Sequence, residues 1–464
     1  MRTLIRLALL SLAVATVFAL PFVAGATPPP VAEATSTFEY TQNMHPLGYS
    51  PREIPLANSE PGAGSFNSDL AFWGDMAVQG TYAGFRLIDI SSPARPVEII
   101  NWEECASRLN SQGNQGDVII WENLIIRSWN SPTPSTGSMC GNWAMAPGEE
   151  GLHVIDISDP TNPEVLAFVD TPSGSHTATL VPDLDNDRLL VYNNSAPGGF
   201  DMIQVPLSDP ASASYVGAFA TGGGCHDWAV MLGDVKRAAC SGGGGFRMFS
   251  LGGPSGGSLD NPLLLYFVPF YSGHSAAFTW DGKYLVFGWE PGGGSGARCT
   301  ATGTQVTPTT IQDDDMKSYF FFDVETGDQV GQFVLPRDQT LLENCTIHNY
   351  NIVPTDKRYV LVSGNYQAGI SVVDFTDPTN AREIAYADPA PLVDPDPPVG
   401  IELGGDWSTY WYNGRIYESD ITRGLIIWEL SDSAVAGAKK FDFLNPQTAM
   451  TSFPFKGTAF GNSN

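Results

Sequence analysis

The sequence predicts an all-β protein folded as a seven-bladed β-propeller, with four antiparallel strands in each blade. Three observations carry this. One phrase, an aliphatic strand followed by Asp or Glu and a Pro-bounded turn, occurs seven times, at 84–96, 151–163, 199–210, 245–254, 319–327, 369–380 and 424–432. Two short β-type runs precede each copy and another follows, as in SHTATLVP, RLLVYNN, GFDMIQV and SYVGAFA of the third unit. Helical periodicity is almost absent beyond residue 26. Four short strands per unit with Gly, Asn and Asp between them is a propeller signature, and a sandwich would not repeat one four-strand unit seven times.

Composition agrees. The 464 residues are 42% hydrophobic and 11% aromatic, ample material for a core. Gly 49 and Pro 35 make the chain turn-rich without making it low-complexity. Lys+Arg 23 against Asp+Glu 50 gives a net charge of −27. Such a field repels phosphate, so nucleic acid is excluded as a partner.

In chain order, residues 1–26 read as a secretory signal peptide. Arg2 and Arg6 supply the basic start, 7–22 the apolar run, and Ala24, Gly25 and Ala26 the cleavage site. Ala32, Glu33 and Ala34 form a second possible site. The run is shorter than the roughly 20 residues a membrane span needs, and Pro21 interrupts it. The expected location is therefore outside the cytoplasm, secreted or periplasmic, with no membrane insertion after cleavage. Residues 27–66 form an N-terminal segment, 67–445 the propeller and 446–464 a C-terminal tail. The units open near Ser68, Gln115, Ser175, Cys225, Gly273, Thr346 and Asp406. The second and fifth carry long loops. The last lacks an outer strand, which either 439–444 (KKFDFL) or 36–41 (STFEYT) should supply to close the ring.

Six cysteines in an exported chain point to disulfides. Cys225 and Cys240 flank a hairpin turning at 232–235, which sets them nearly opposite each other. Sequence proximity pairs Cys105 with Cys140 and Cys299 with Cys345. No C-x-x-C pair exists, which argues against a zinc–thiolate centre.

The stretches GLHVIDISDPTNP, SHTATLVP, GCHDWAV, GHSAAF, ENCTIHN and GISVVDFTDPTNAREIAY belong to a pattern that runs over about residues 40–431. In them the chain resembles the exported bacterial proteins with LVIVD repeats. The resemblance implies a β-propeller at the cell surface or beyond and no established reaction. The third and fourth copies depart from the pattern, since MIQVPL and MFSL lack the Asp.

Four of the six histidines occupy equivalent places at the start of innermost strands: His176, His226, His274 and His348, in four consecutive units. Innermost strands line a propeller's channel, so these rings should form an arc at one mouth. The second strand of each unit returns to that mouth, bringing Asn193, Asn194, Glu290, Tyr366 and Asp420. Asp69, Asp117 and Asp227 sit near the openings of their own inner strands. Imidazoles beside carboxylates suit zinc or another transition metal, with Glu290 the best-placed carboxylate, or acid–base chemistry. The bland alternative is a watered polar channel. Asp183, Asp185 and Asp187 alternate as in a calcium loop, but Arg188 stands where Gly is needed, which favours an acidic turn. The G-x-S-x-G match at 253–257 has no helix after it and does not read as a nucleophile elbow.

The function expected from these features is a secreted binding scaffold for a small molecule or an extracellular protein, with a ligand or metal site at the channel mouth. The alternatives are a metal-dependent oxidoreductase or hydrolase using the histidine arc, and a structural cell-surface protein.

Overall fold

The recurring phrase has a physical reason at each step. Its terminal Asp closes a turn on the next backbone. Asp89 Oδ1 accepts from Ser91 N at 2.8 Å, Asp156 Oδ1 from Ser158 N at 2.9 Å and Asp374 Oδ1 from Thr376 N at 3.1 Å. Its leading Gly allows close approach: a Cβ on Gly151 (φ +155°) would lie 2.0 Å from the Val169 carbonyl oxygen. The strand that follows carries one extra residue. Val154 pairs with Ala167 and Ile155 with Val165, so Leu166 bulges. The same shift falls at Leu87/Ile88, Met202/Ile203, Met248/Phe249, Phe321/Phe322 and Val372/Val373. A bulge deepens the local twist, and repeating it gives each unit the same curl.

The computed structural model describes residues 31–52, 66–105, 115–194, 198–291, 293, 314–337, 339–340, 343–392 and 403–451. The signal-peptide expectation over 1–26 lies outside these residues, as do Cys299 and the chain from 452 onward.

Hydrogen bonding gathers the repeats into five discrete blades, not seven. Blade 1 holds Asn67–Trp73, Met76–Thr81, Gly84–Asp89 and Val97–Trp102. Blade 2 holds Val118–Trp121, Leu124–Trp129, Gly151–Asp156 and Glu164–Asp170. Blade 3 holds Thr177–Asp183, Arg188–Asn194, Gly199–Pro206 and Ser214–Ala220. Blade 4 holds Asp227–Leu232, Arg237–Ser241, Gly245–Ser250 and Leu263–Pro269. Blade 5 holds Gly273–Phe278, Tyr284–Trp289, Ser318–Asp323 and Gln329–Val334.

The last two copies of the phrase share one nine-stranded sheet. Its order is Phe38–Tyr40, Arg382–Pro389, Ile370–Asp374, Val360–Gly364, Asn349–Ile352, Asp406–Tyr412, Arg415–Asp420, Gly424–Leu430 and Met44–Pro51. The count of seven separate four-stranded blades is thereby corrected. The two halves are joined by a parallel pairing of Asn349 with Ser408 and by reciprocal hydrogen bonds between Tyr366 and Asp406. That contact depends on left-handed backbone. Tyr366 has φ +52° and Gly405 has φ +76°, and a Cβ on Gly405 would meet the Tyr366 carbonyl oxygen at 2.2 Å.

Neither segment expected to supply the last outer strand does so. Met44–Pro51 pairs with Gly424–Leu430 and carries the family of bulges, between Pro46 and Gly48. Phe38–Tyr40 instead adds to Arg382–Pro389. Phe443–Leu444 adds to Phe72 and Trp73 on the innermost strand of blade 1. The chain then crosses the channel. Asn445 bonds both backbone groups of Ile120, the Thr448 hydroxyl donates to the Leu180 carbonyl, and Thr448–Met450 pairs parallel to Val230–Leu232. Part of the segment read as a tail therefore spans the inner strands and reaches the channel lining with Gln447.

Inner and middle strands such as Asp227–Leu232 and Leu124–Trp129 are buried along their whole length, whereas an outer strand such as Ser214–Ala220 is mostly exposed or half-buried. The core therefore consists of layers between neighbouring sheets. Trp228 packs on Tyr192 and Phe200 of blade 3 with ring centroids 5.1 and 4.9 Å away. Two predicted disulfides are present, Cys105–Cys140 and Cys225–Cys240, with Cα atoms 4.0 and 5.3 Å apart. Cys345 is also disulfide-bonded. Asp183 and Asp187 bracket a tight turn, with Asp183 bonded to Arg188 at 2.8 Å, and 253–255 is an exposed turn. No helix among the described residues is long and apolar enough to cross a membrane.

Candidate functional site at the channel mouth

The four histidines stand side by side. Ring centroids are 4.9 Å apart for His176 and His226, 4.1 Å for His226 and His274, and 4.5 Å for His274 and His348. The reason is the repeat itself: each ring comes from the same step of successive innermost strands. Together with Asp117, Asp227, Trp407 and Gln447 they line a cavity of about 20 Å³. A water needs about 10–15 Å³, so the cavity has room for water or an ion.

Glu290 follows the second strand of blade 5 and stands beside the arc. Its Oε2 lies 3.7 Å from His274 Nε2, and its Oε1 accepts from the Tyr366 hydroxyl at 2.6 Å. Tyr366 also packs on His348, centroids 4.4 Å apart. The left-handed backbone that joins the halves of the nine-stranded sheet is thus what aims the phenol at Glu290. The His348 Nδ1–H donates to the Trp407 carbonyl oxygen, which fixes the tautomer and leaves Nε2 as the electron-pair donor. Asn130 Nδ2 donates to His176 Nδ1 at 2.7 Å. Nδ1 of His226 and Nδ1 of His274 are buried without a hydrogen-bond partner.

Electrostatics keep the rings neutral. Burial pushes His176 down to about 4. Burial also pushes His348 down to about 3, against the Trp407 carbonyl. His226 and His274 fall well below the usual range, first from burial and then from neighbouring imidazoles. His226 keeps 29% of its side chain open at the mouth but is walled in by the other rings. Burial raises Asp227 to about 8, and burial together with Asp69 raises Asp117 well above the carboxylate range. Neutral imidazole is the form that binds a metal.

One ligand atom from each of His274, Glu290 and His348 lies within 4.8 Å of the others, and the same holds for His226, Asp227 and His274. Asp69 stands beside Asp117, but neither it nor Asp420 lines the cavity. Asp69 accepts from Ser408 and from the Tyr410 hydroxyl, and Asp420 is bound by Arg423. Asn193 reaches the Gly174 carbonyl at 2.8 Å, and Asn194 reaches Thr177. Asn130, Trp407 and Gln447 were not anticipated. Asn130 and Trp407 act through a side-chain amide and a backbone carbonyl, and Gln447 comes from outside the repeats, so no pattern flagged them.

Residues 138–171 match the family model of the LVIVD repeat. The match covers one unit, the hairpin and last two strands of blade 2, and supports a repeat β-propeller. No curated protein matches the chain. Among solved structures, the crystal structure of the WD40 beta propeller domain of Doa1 aligns with a TM-score of 0.47 and 8% identity, covering 84% of this chain and 100% of that one. That likeness is too distant to speak to function or to blade number.

Proposed function

We propose that this LVIVD-type propeller is an exported binding scaffold that holds zinc or a late first-row transition ion at its channel mouth. His274, His348 and Glu290 would be the ligands, with His226 and Asp227 closing the far side. The observation that carries the reading is the Glu290 carboxylate beside His274, braced by Tyr366, next to a His348 whose tautomer is fixed by Trp407. A carboxylate and neutral imidazoles braced by outer partners form a zinc donor set. The two disulfides support export. About 20 Å³ between the rings leaves room for an ion and a water, which suits binding. Metal analysis of untagged protein tests this. One ion per chain is expected, lost in His274→Ala and in Glu290→Gln with the β circular dichroism intact. Chains that stay metal-free after exposure to zinc, or variants that keep the ion, overturn it.

A further inference from the structure

A second cluster lies inside the nine-stranded sheet. Glu418 and Asp420 are two apart on one strand and so share a face, and Asp406 is the register partner of Asp420. All three are 0% exposed. One oxygen from each lies within 4.8 Å of the others.

Their hydrogen bonds leave a deficit. Asp406 Oδ2 accepts from the Thr409 hydroxyl at 3.1 Å, and Glu418 Oε2 accepts from Trp428 Nε1 at 2.6 Å. Asp420 accepts from the backbone N–H groups of Thr422 and Arg423 and from Arg423 Nη1 at 2.6 Å. Asp406 Oδ1 and Glu418 Oε1 are buried with no donor from any other residue, and the two carboxyl groups meet each other. Burial without a donor is costly for a neutral oxygen and more so for a charged one. The charges also fail to balance: three carboxyl groups face the single guanidinium of Arg423. With all three ionised, two negative charges stand uncompensated in a dry place.

We propose that Asp406, Glu418 and Asp420 hold a calcium ion, or a similar hard divalent cation, distinct from the metal at the histidines. Two positive charges cancel the excess, and the two orphaned oxygens become ligands. An oxygen-only donor set selects hard ions over zinc or copper. Ca–O distances of about 2.3–2.6 Å allow oxygens bound across one ion to stand about 4.6–5.2 Å apart, which accommodates this cluster. Magnesium demands a near-ideal octahedron at about 2.0–2.1 Å, whereas calcium accepts an irregular set of oxygens. The rival occupant is one proton shared between Asp406 and Glu418, consistent with burial raising Glu418 to about 7 and Asp406 well above the usual carboxylate range.

Titration calorimetry with calcium chloride, and melting in calcium chloride against EGTA, separate the two. Calcium predicts one site per chain and a higher melting temperature with the ion. Asp406→Asn combined with Glu418→Gln keeps the shape, supplies amide donors and removes two charges. It should weaken binding by more than the roughly 10–100-fold that outer-shell changes cause, and make the two melting curves coincide. His274→Ala should leave calcium binding untouched, which keeps this test apart from that of the histidine site. Wild-type chains that bind no calcium and melt alike in both buffers overturn the proposal in favour of the shared proton. A double variant that still binds calcium places the ion elsewhere and also overturns it.

Discussion

Replacing Arg86 by Met should loosen the ring at its closing strand. Arg86 is fully buried on the third strand of blade 1. Its guanidinium donates to Glu98 at 2.7 Å, Gln79 Oε1 at 2.6 Å, Ser50 Oγ at 2.8 Å and the Pro51 carbonyl at 3.2 Å. Ser50 and Pro51 belong to Met44–Pro51, so this one side chain ties the closing strand to blade 1. Met fills similar volume but donates nothing. Glu98 is 39% exposed and can return to water, so its share of the loss is small. Gln79 and the Ser50 and Pro51 acceptors are left dry. Hydrogen bonds from a charged group contribute about 1.5–3 kcal/mol each and are not additive here. The expected loss is about 3–5 kcal/mol, the usual result of breaking a buried charged network. Against a typical total of about 5–15 kcal/mol that is a large fraction. Urea unfolding gives the size, and amide hydrogen exchange gives the place, with protection over 44–51 expected to fall first. A loss under about 1 kcal/mol, or exchange that rises elsewhere while 44–51 stays protected, would refute the reasoning.

Two further outcomes follow from the structure. Cys225→Ser with Cys240→Ser opens a loop of sequence separation 15 and should destabilise the fold by about 3 kcal/mol, read from guanidinium unfolding without reductant; an unchanged midpoint would contradict it. Burial raises Asp388 to about 6, against the opposing pull of the Arg337 guanidinium beside it. The protonated form is favoured by folding, so its contribution is full below about pH 4 and is lost as pH rises through 6, by about 3 kcal/mol in order of magnitude. Stability profiles of wild type and Asp388→Asn should therefore converge at low pH and separate above pH 6, with the variant more stable there; parallel profiles would exclude the shift.

The sequence made the strand content, two disulfides and the histidine register legible because each is local or periodic. Gly151, Asp156 and Leu166 show why the phrase repeats: close approach, turn and bulge each demand a residue at a fixed step. The number of separate blades was not legible. A period counts units, but whether neighbouring units fuse depends on contacts such as Asn349 with Ser408, set by the left-handed backbone at Tyr366 and Gly405. The closing strand was missed because Met44–Pro51 contains two prolines and a glycine, which read as turn rather than strand; an edge position tolerates them. Asp406 was seen only as the opening of the last unit, and Glu418 not at all, because their proximity arises from cross-strand register.

The path of 443–450 across the channel bears on the order of assembly. These residues follow every inner strand in the sequence, yet they pair with blade 1 at Trp73 and with blade 4 at Val230. Met44–Pro51, made early, must wait for Gly424–Leu430 before it has a partner. Both fastenings thus close loops of several hundred residues, an entropic cost that grows only logarithmically with loop length but falls late in folding. A nascent chain of this protein would carry an exposed, unfastened sheet until nearly all of these residues had emerged. Its channel would remain open where 443–450 crosses it until that moment.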